Sequence, residues 1–283
     1  MSTQLLHTVE EVRSAVARAR SAGRTIGCVP TMGALHAGHG ALIDWSVEAG
    51  EFTVVTVFVN PIQFDRKEDY DAYAISLPAD VELCSSRGAA IVFAPSVEEM
   101  YPEGFATAVE VPALAQKMCG AFRPGHFRGV ATVVAKLLNI VQPQAAYFGE
   151  KDAQQLAIIR QMAADLNLPV RIVSVPTVRE SDGLALSSRN RRLSEAERKL
   201  APLLYQALDT GRRKIGNGSR DPAEVRQAAL AVLEAEPAFR VEYLEVVDAR
   251  RMQAVESIHE DVRIAAAAWL GSTRLIDNVL CRV

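Results

Sequence analysis

The run Thr25-Ile26-Gly27-Cys28-Val29-Pro30-Thr31-Met32-Gly33-Ala34-Leu35-His36-Ala37-Gly38-His39 holds the fold in miniature. Residues 25–29 form a short apolar stretch bounded by Gly23 and Pro30. A glycine-bearing turn follows, and then a helical stretch over residues 42–49. Strand, turn and helix in that order are one winding of an α/β sheet.

The same alternation repeats outward from this run. Residues 52–59 (FTVVTVFV) are β-branched and aromatic and stop at Asn60-Pro61. Residues 89–94, 145–148 and 170–175 repeat the pattern, with helical stretches at 79–87, 130–141 and 153–166. Near-continuous apolar strands of this kind are buried on both faces of a parallel sheet. The pattern predicts an α/β, Rossmann-like, doubly wound parallel sheet over residues 1–176. Such sheets bind ligands beyond the carboxyl ends of their strands, so motifs just after a strand carry weight. Near Pro176 the pattern changes. Residues 194–236 are helical, and 241–247, 263–268 and 274–280 read as strands between turn signals. A smaller α+β domain is expected over residues 177–283.

The 283 residues hold 31 Lys and Arg against 34 Asp and Glu, a formal charge of −3. That balance argues against general nucleic-acid binding through phosphate neutralisation. The longest apolar runs, 54–59 and 264–270, fall far short of the ~20 residues that cross a bilayer. The first twenty residues hold no apolar core of a secretory signal. Cys28, Cys84, Cys119 and Cys281 are scattered without metal-ligand or redox spacing. A cytoplasmic protein with no membrane and no nucleic-acid partner is expected.

Five stretches can carry chemistry. In the first, Gly33 and Gly38 permit close backbone approach, and a helix start is a ready phosphate site. His36 and His39, three apart, are expected on one helix face, where both donate to phosphate oxygens. The second, Phe58-Val59-Asn60-Pro61-Ile62-Gln63-Phe64, places two amides at a strand end. The third, Arg123-Pro124-Gly125-His126-Phe127-Arg128-Gly129-Val130, reads as a basic loop before a helix. The fourth, Tyr147-Phe148-Gly149-Glu150-Lys151-Asp152-Ala153-Gln154-Gln155, supplies a lysine for phosphate, with Asp152 as a helix cap or ribose acceptor. The fifth ends in Leu186-Ser187-Ser188-Arg189-Asn190. Its two hydroxyls and guanidinium suit a triphosphate that becomes leaving pyrophosphate.

Together these motifs resemble the pantothenate synthetase (pantoate–β-alanine ligase) family of HIGH-type nucleotidyltransferases. P-T-M-G-A-L-H-x-G-H, F-V-N-P-x-Q-F, R-P-G-H-F-x-G-V, F-G-E-K-D-x-Q-Q and S-S-R-N occur in family order over essentially the whole chain. The resemblance implies that pantoate attacks the α-phosphate of ATP, giving pantoyl adenylate and pyrophosphate. β-Alanine then attacks the acyl carbon, giving pantothenate and AMP. It implies that His36, His39, Lys151, Ser187, Ser188 and Arg189 hold the ATP phosphates and carry catalysis. Met32, Gly33, Gly38, Gly149, Glu150, Asp152, Leu186 and the backbone of Val178 complete the ATP site. Gln63 and Gln155 bind pantoate, walled by Met32, Val133, Val134 and Phe148. Asn60, Gln63, Tyr73 and Arg123 line the β-alanine pocket. Mg²⁺ is expected with the nucleotide, with Asp80 as its acidic neighbour, and a homodimer is expected. The C-terminal domain is expected to carry the S-S-R-N loop and cover the site. A rival reading is adenylyl transfer onto a phosphate ester, which leaves the two glutamines unexplained.

Overall fold

The computed structural model describes residues 3–65, 67–71, 73 and 76–283. Six strands form one parallel sheet: β1 (Gln4–Leu6), β2 (Ile26–Thr31), β3 (Phe52–Val57), β4 (Ile91–Phe93), β5 (Ala145–Gly149) and β6 (Arg171–Val175). Their order is β1-β4-β3-β2-β5-β6. From β2 the chain winds out to β3 and β4, then returns to β5 and β6. The order reverses between β2 and β5, so the ligand crevice belongs at the ends of those two strands, Thr31 and Gly149. β1 lies outside the sequence expectation, because three residues are too short to show a period.

The strands read as continuous apolar runs because both faces are covered. Val29, Val55, Val92 and Tyr147 pack on one face with Ile43 and Cys84. The alternate residues Cys28, Val54, Ile91 and Ala146 are equally buried. Among the described residues, no helix is long and apolar enough to cross a membrane.

The chain divides into two compact units, Met1–Gly149 with Ile158–Pro176, and Glu150–Ala157 with Thr177–Val283. This differs from a single cut at 176/177 in one segment. Residues 150–157 group with the second unit, and the carbonyls of Glu150 and Lys151 accept from Asn278 near that unit's C-terminal end. That unit holds an antiparallel sheet of β7 (Phe239–Asp248), β8 (Val262–Leu270) and β9 (Thr273–Cys281), in that order. The helices Leu203–Gly216 and Pro222–Glu234 cover it, packing Leu204, Leu208 and Leu233 against Leu244, Ile264 and Leu275.

Candidate active site

Strand β2 delivers the first motif to its carboxyl end. Gly33 and Ala34 both take left-handed φ values, 82° and 52°. Glycine does so freely, whereas alanine is strained by roughly 1–2 kcal/mol. The buried carboxylate of Asp80 holds the turn: Ala34 N donates to Oδ2 (3.1 Å) and Leu35 N to Oδ1 (2.7 Å).

His36 then caps the helix Ala37–Glu48 from an extended conformation. Gly38 N donates to His36 Nδ1 (3.1 Å), and His36 N donates to His39 Nδ1 (3.3 Å). The two rings lie 4.2 Å apart between centroids. This is a reciprocal capping box built from two imidazoles. A ring nitrogen that accepts carries no proton, so each neutral ring carries its proton on Nε2. The cap therefore sets both histidines as Nε2 donors.

A chain of amides lies nearby in the same unit. Tyr101 donates from its hydroxyl to Asn60 Oδ1 (2.7 Å). Asn60 Nδ2 donates to Gln63 Oε1 (3.0 Å) and Gly129 O (3.1 Å). Gln63 Nε2 lies 2.8 Å from Met32 Sδ. The bonds orient both amides, so Gln63 presents its Oε1 to Asn60 and its NH₂ to Met32 Sδ. The helix His126–Val141 approaches closely: a Cβ on Gly129 would lie 2.4 Å from Ile62 O and 2.6 Å from Gln63 Cα. His126 Nδ1 donates to Gln63 O (2.8 Å), and Arg123 pairs with Asp65 (3.2 Å).

The second unit supplies its own cationic group. Glu150–Asp152 form one 3-10 turn ahead of the helix Ala153–Asp165. Ser187 caps a second 3-10 turn, Ser188–Arg192, by accepting from Arg189 N (3.2 Å). Lys151, Ser187, Arg189, Asn190 and Asp277 line one small pocket. Arg179 makes a two-point pair with buried Asp277, at 2.5 and 2.9 Å. Burial pushes the Asp277 carboxyl up, and Arg179 pulls it the other way.

The chain matches the family model for pantoate-beta-alanine ligase over residues 4–280. That match spans nearly the full sequence. The chain belongs to the pantoate–β-alanine ligase family. It is 53% identical to a pantothenate synthetase of Pseudomonas savastanoi pv. phaseolicola over 274 residues, 96% of each chain. It is 49% identical to that of Moorella thermoacetica over 280 residues, 99% of each. The crystal structure of pantothenate synthetase from Thermus thermophilus superposes with a TM-score of 0.93 at 48% identity, covering 98% of this chain and 99% of that one. A ligase from Francisella tularensis, complexed with Beta-gamma ATP and β-alanine, gives 0.81 at 32%, covering 99% and 98%.

Within this ligase fold the predicted residues fall into two groups. Met32, Gly33, His36, Gly38, His39, Asn60, Gln63, Tyr73, Asp80, Arg123, Val133, Val134, Phe148 and Gly149 lie in the first unit. Glu150, Lys151, Asp152, Gln155, Val178, Leu186, Ser187, Ser188 and Arg189 lie in the second. Tyr73 packs its ring edge-on to Phe64. The Val178 carbonyl accepts from Leu186 N (3.0 Å).

Three expectations change. His36 stands outside the helix as its cap, with its ring beside that of His39 in the first turn. The third motif is not all loop, since the helix begins at His126, after Gly125 at φ 79°. Asp80 gives one lone pair of each oxygen to a backbone turn, so the role it shows is to hold that turn rather than a metal ion. Among the described residues no group of three or more His, Cys, Asp or Glu is set to hold a metal ion. Tyr101 and Arg263 escaped the sequence reading, because each acts on a partner remote in sequence and neither lies in a glycine-rich turn.

Proposed function

We propose that the chain joins pantoate to β-alanine at the expense of ATP, in two steps. A pantoate carboxylate oxygen attacks the α-phosphorus, and pyrophosphate leaves. The β-alanine amine then attacks the acyl carbon of the adenylate, and AMP leaves. Family membership over residues 4–280 carries this reading. The relatives' name and the intact glutamines disfavour adenylyl transfer onto a phosphate ester.

The chemistry asks two anions to meet, and the chain answers with directed positive charge. Nε2 of His36 and His39, at the positive end of the helix, donates to phosphate oxygens. Lys151, Ser187, Ser188 and Arg189 take the β- and γ-phosphates, where charge collects as pyrophosphate leaves. Met32, Gly33, Gly38, Gly149, Glu150, Asp152, Val178 and Leu186 serve the nucleoside and phosphate backbone. Gln63 and Gln155 hold pantoate, with Val133, Val134 and Phe148 as its apolar wall. Asn60, Tyr73 and Arg123 serve β-alanine. Mg²⁺ enters as part of the nucleotide substrate, carried by the triphosphate. We place the division of labour at Pro176, with the S-S-R-N segment on the C-terminal part. The family resemblance supports a homodimer, and four free buried cysteines suit the cytoplasm.

The test is exchange of labelled pyrophosphate into ATP without β-alanine. Exchange that requires pantoate, followed by AMP release when β-alanine is added, is the expected result. Exchange indifferent to pantoate would overturn the reading.

A further inference from the structure

Two consecutive residues of β9 bind both cationic segments of the second unit. Asn278 is 4% exposed. Its Nδ2 donates to the carbonyls of Glu150 (2.8 Å) and Lys151 (2.9 Å). Its Oδ1 accepts from Arg263 Nη1 on β8 (2.6 Å). Arg263 Nη2 reaches Glu150 Oε2 at 3.1 Å. The next residue back, Asp277, takes Arg179 by two bonds, and Arg179 also donates to Gly183 O (3.0 Å) and Asn278 O (3.1 Å). The Arg179 guanidinium lies 4.2 Å from the Tyr205 ring centre. Arg179 bridges Ala185 across a turn that runs into Ser187.

The donor count at Asn278 is specific. Two amide protons meet two carbonyls, and one amide oxygen meets a guanidinium. A carboxylate would set a negative oxygen against both carbonyls, and an apolar side chain would leave them buried and unpaired. Lysine has a flexible four-carbon stem, so its aim depends on where its backbone is fixed. A small misplacement of such a group costs rate, because the protein's charge has to be in place before reaction.

We propose that Asn278, supported by Arg263, is the positioning residue for Lys151, fixing the backbone from which the lysine reaches the leaving phosphates. The proposal rests on the reading of Lys151 as a phosphate donor. It adds a residue 127 positions away whose side chain is too short and too buried to serve phosphate itself. Asp277, through Arg179, steadies the segment that leads to Ser187 and Arg189, so the two donor segments share one anchor.

The experiment is pantoate-dependent pyrophosphate exchange on Asn278→Ala, Arg263→Lys and Lys151→Ala, singly and combined. Asn278→Ala is expected to lower exchange about 10–100-fold and raise KM for ATP, with KM for pantoate unchanged. Arg263→Lys, a milder change that keeps the charge, is expected to give a smaller loss of the same kind and guards against misfolding of the first variant. In the Lys151→Ala background, Asn278→Ala should cost little more, since its route is already cut. An additive loss, or equal rises in both KM values, would overturn the positioning role while leaving Lys151 a donor. Wild-type exchange by Lys151→Ala would instead overturn the donor reading, and this proposal with it.

Discussion

Tyr101 shows how one hydroxyl sets the polarity of a site. It donates to Asn60 Oδ1, which leaves Asn60 Nδ2 facing Gln63 Oε1 and Gly129 O. Gln63 Nε2 thereby has Met32 Sδ as one partner, and its second N–H is the donor proposed for pantoate. Burial pushes the Tyr101 phenol up, so it stays a donor throughout the working range. Tyr101→Phe orphans a buried amide oxygen, a loss of about 1–3 kcal/mol. The amide chain that fixes Asn60 and Gln63 then loses its first donor. KM for pantoate is expected to rise about tenfold, since 1.4 kcal/mol is a factor of ten, with kcat at saturating pantoate nearly kept. Steady-state kinetics checks this, and an unchanged KM for pantoate would refute the relay.

At the scale of elements, the start of the helix Ala37–Glu48 does two jobs with one side chain. His36 Nδ1 caps the helix, and His36 Nε2 is the atom proposed to serve phosphate. Asparagine caps well but carries no equivalent of Nε2. His36→Asn should keep the melting temperature while exchange falls about 10²–10³-fold. His36→Ala should lose the same activity and also about 1 kcal/mol of stability. Calorimetry beside the exchange assay separates the two jobs, and a large loss of stability in His36→Asn would sink the division. The elements themselves were legible in the sequence because burial on both faces writes a strand as an apolar run. Their edges were less so. The helix at His126 starts four residues before the apolar period shows, because a left-handed Gly125 and not a polar cap begins it. The site was legible where its residues are local, as in P-T-M-G-A-L-H-x-G-H. It was hidden where the partner is remote: Asp80 lies 45 residues from Leu35, and Tyr101 lies 41 from Asn60. A motif records local spacing, while the side chains that hold it come from wherever the fold brings them near.

At the scale of the molecule, both units carry an alkaline limit built from buried thiols. Burial pushes Cys28 and Cys84 up to about 12 and Cys281 to about 11. The first two belong to one unit and the third to the other. Burial also pushes the Tyr147 phenol up to about 12. An unfolded thiol releases its proton near pH 8.5. Between that value and about 11, the folded chain keeps protons that the unfolded chain has lost. The unfolded state then binds fewer protons, so stability falls as pH rises through this window and is fully present below it. Each of the three thiols contributes a fall of about 2 kcal/mol between pH 8.5 and 10, at 1.36 kcal/mol per pH unit. The melting temperature should therefore be flat near pH 7–8 and drop steeply by pH 10, for whichever unit melts first. Cys28→Ala should be less stable at pH 7, because a buried sulfur is lost, yet show a shallower alkaline slope in the first unit's transition. A thiol reagent at pH 8 should leave the native chain unlabelled and modify all four cysteines only after denaturant is added. Rapid labelling of Cys28 in the native chain, or an unchanged slope in Cys28→Ala, would show that the limit lies in other groups.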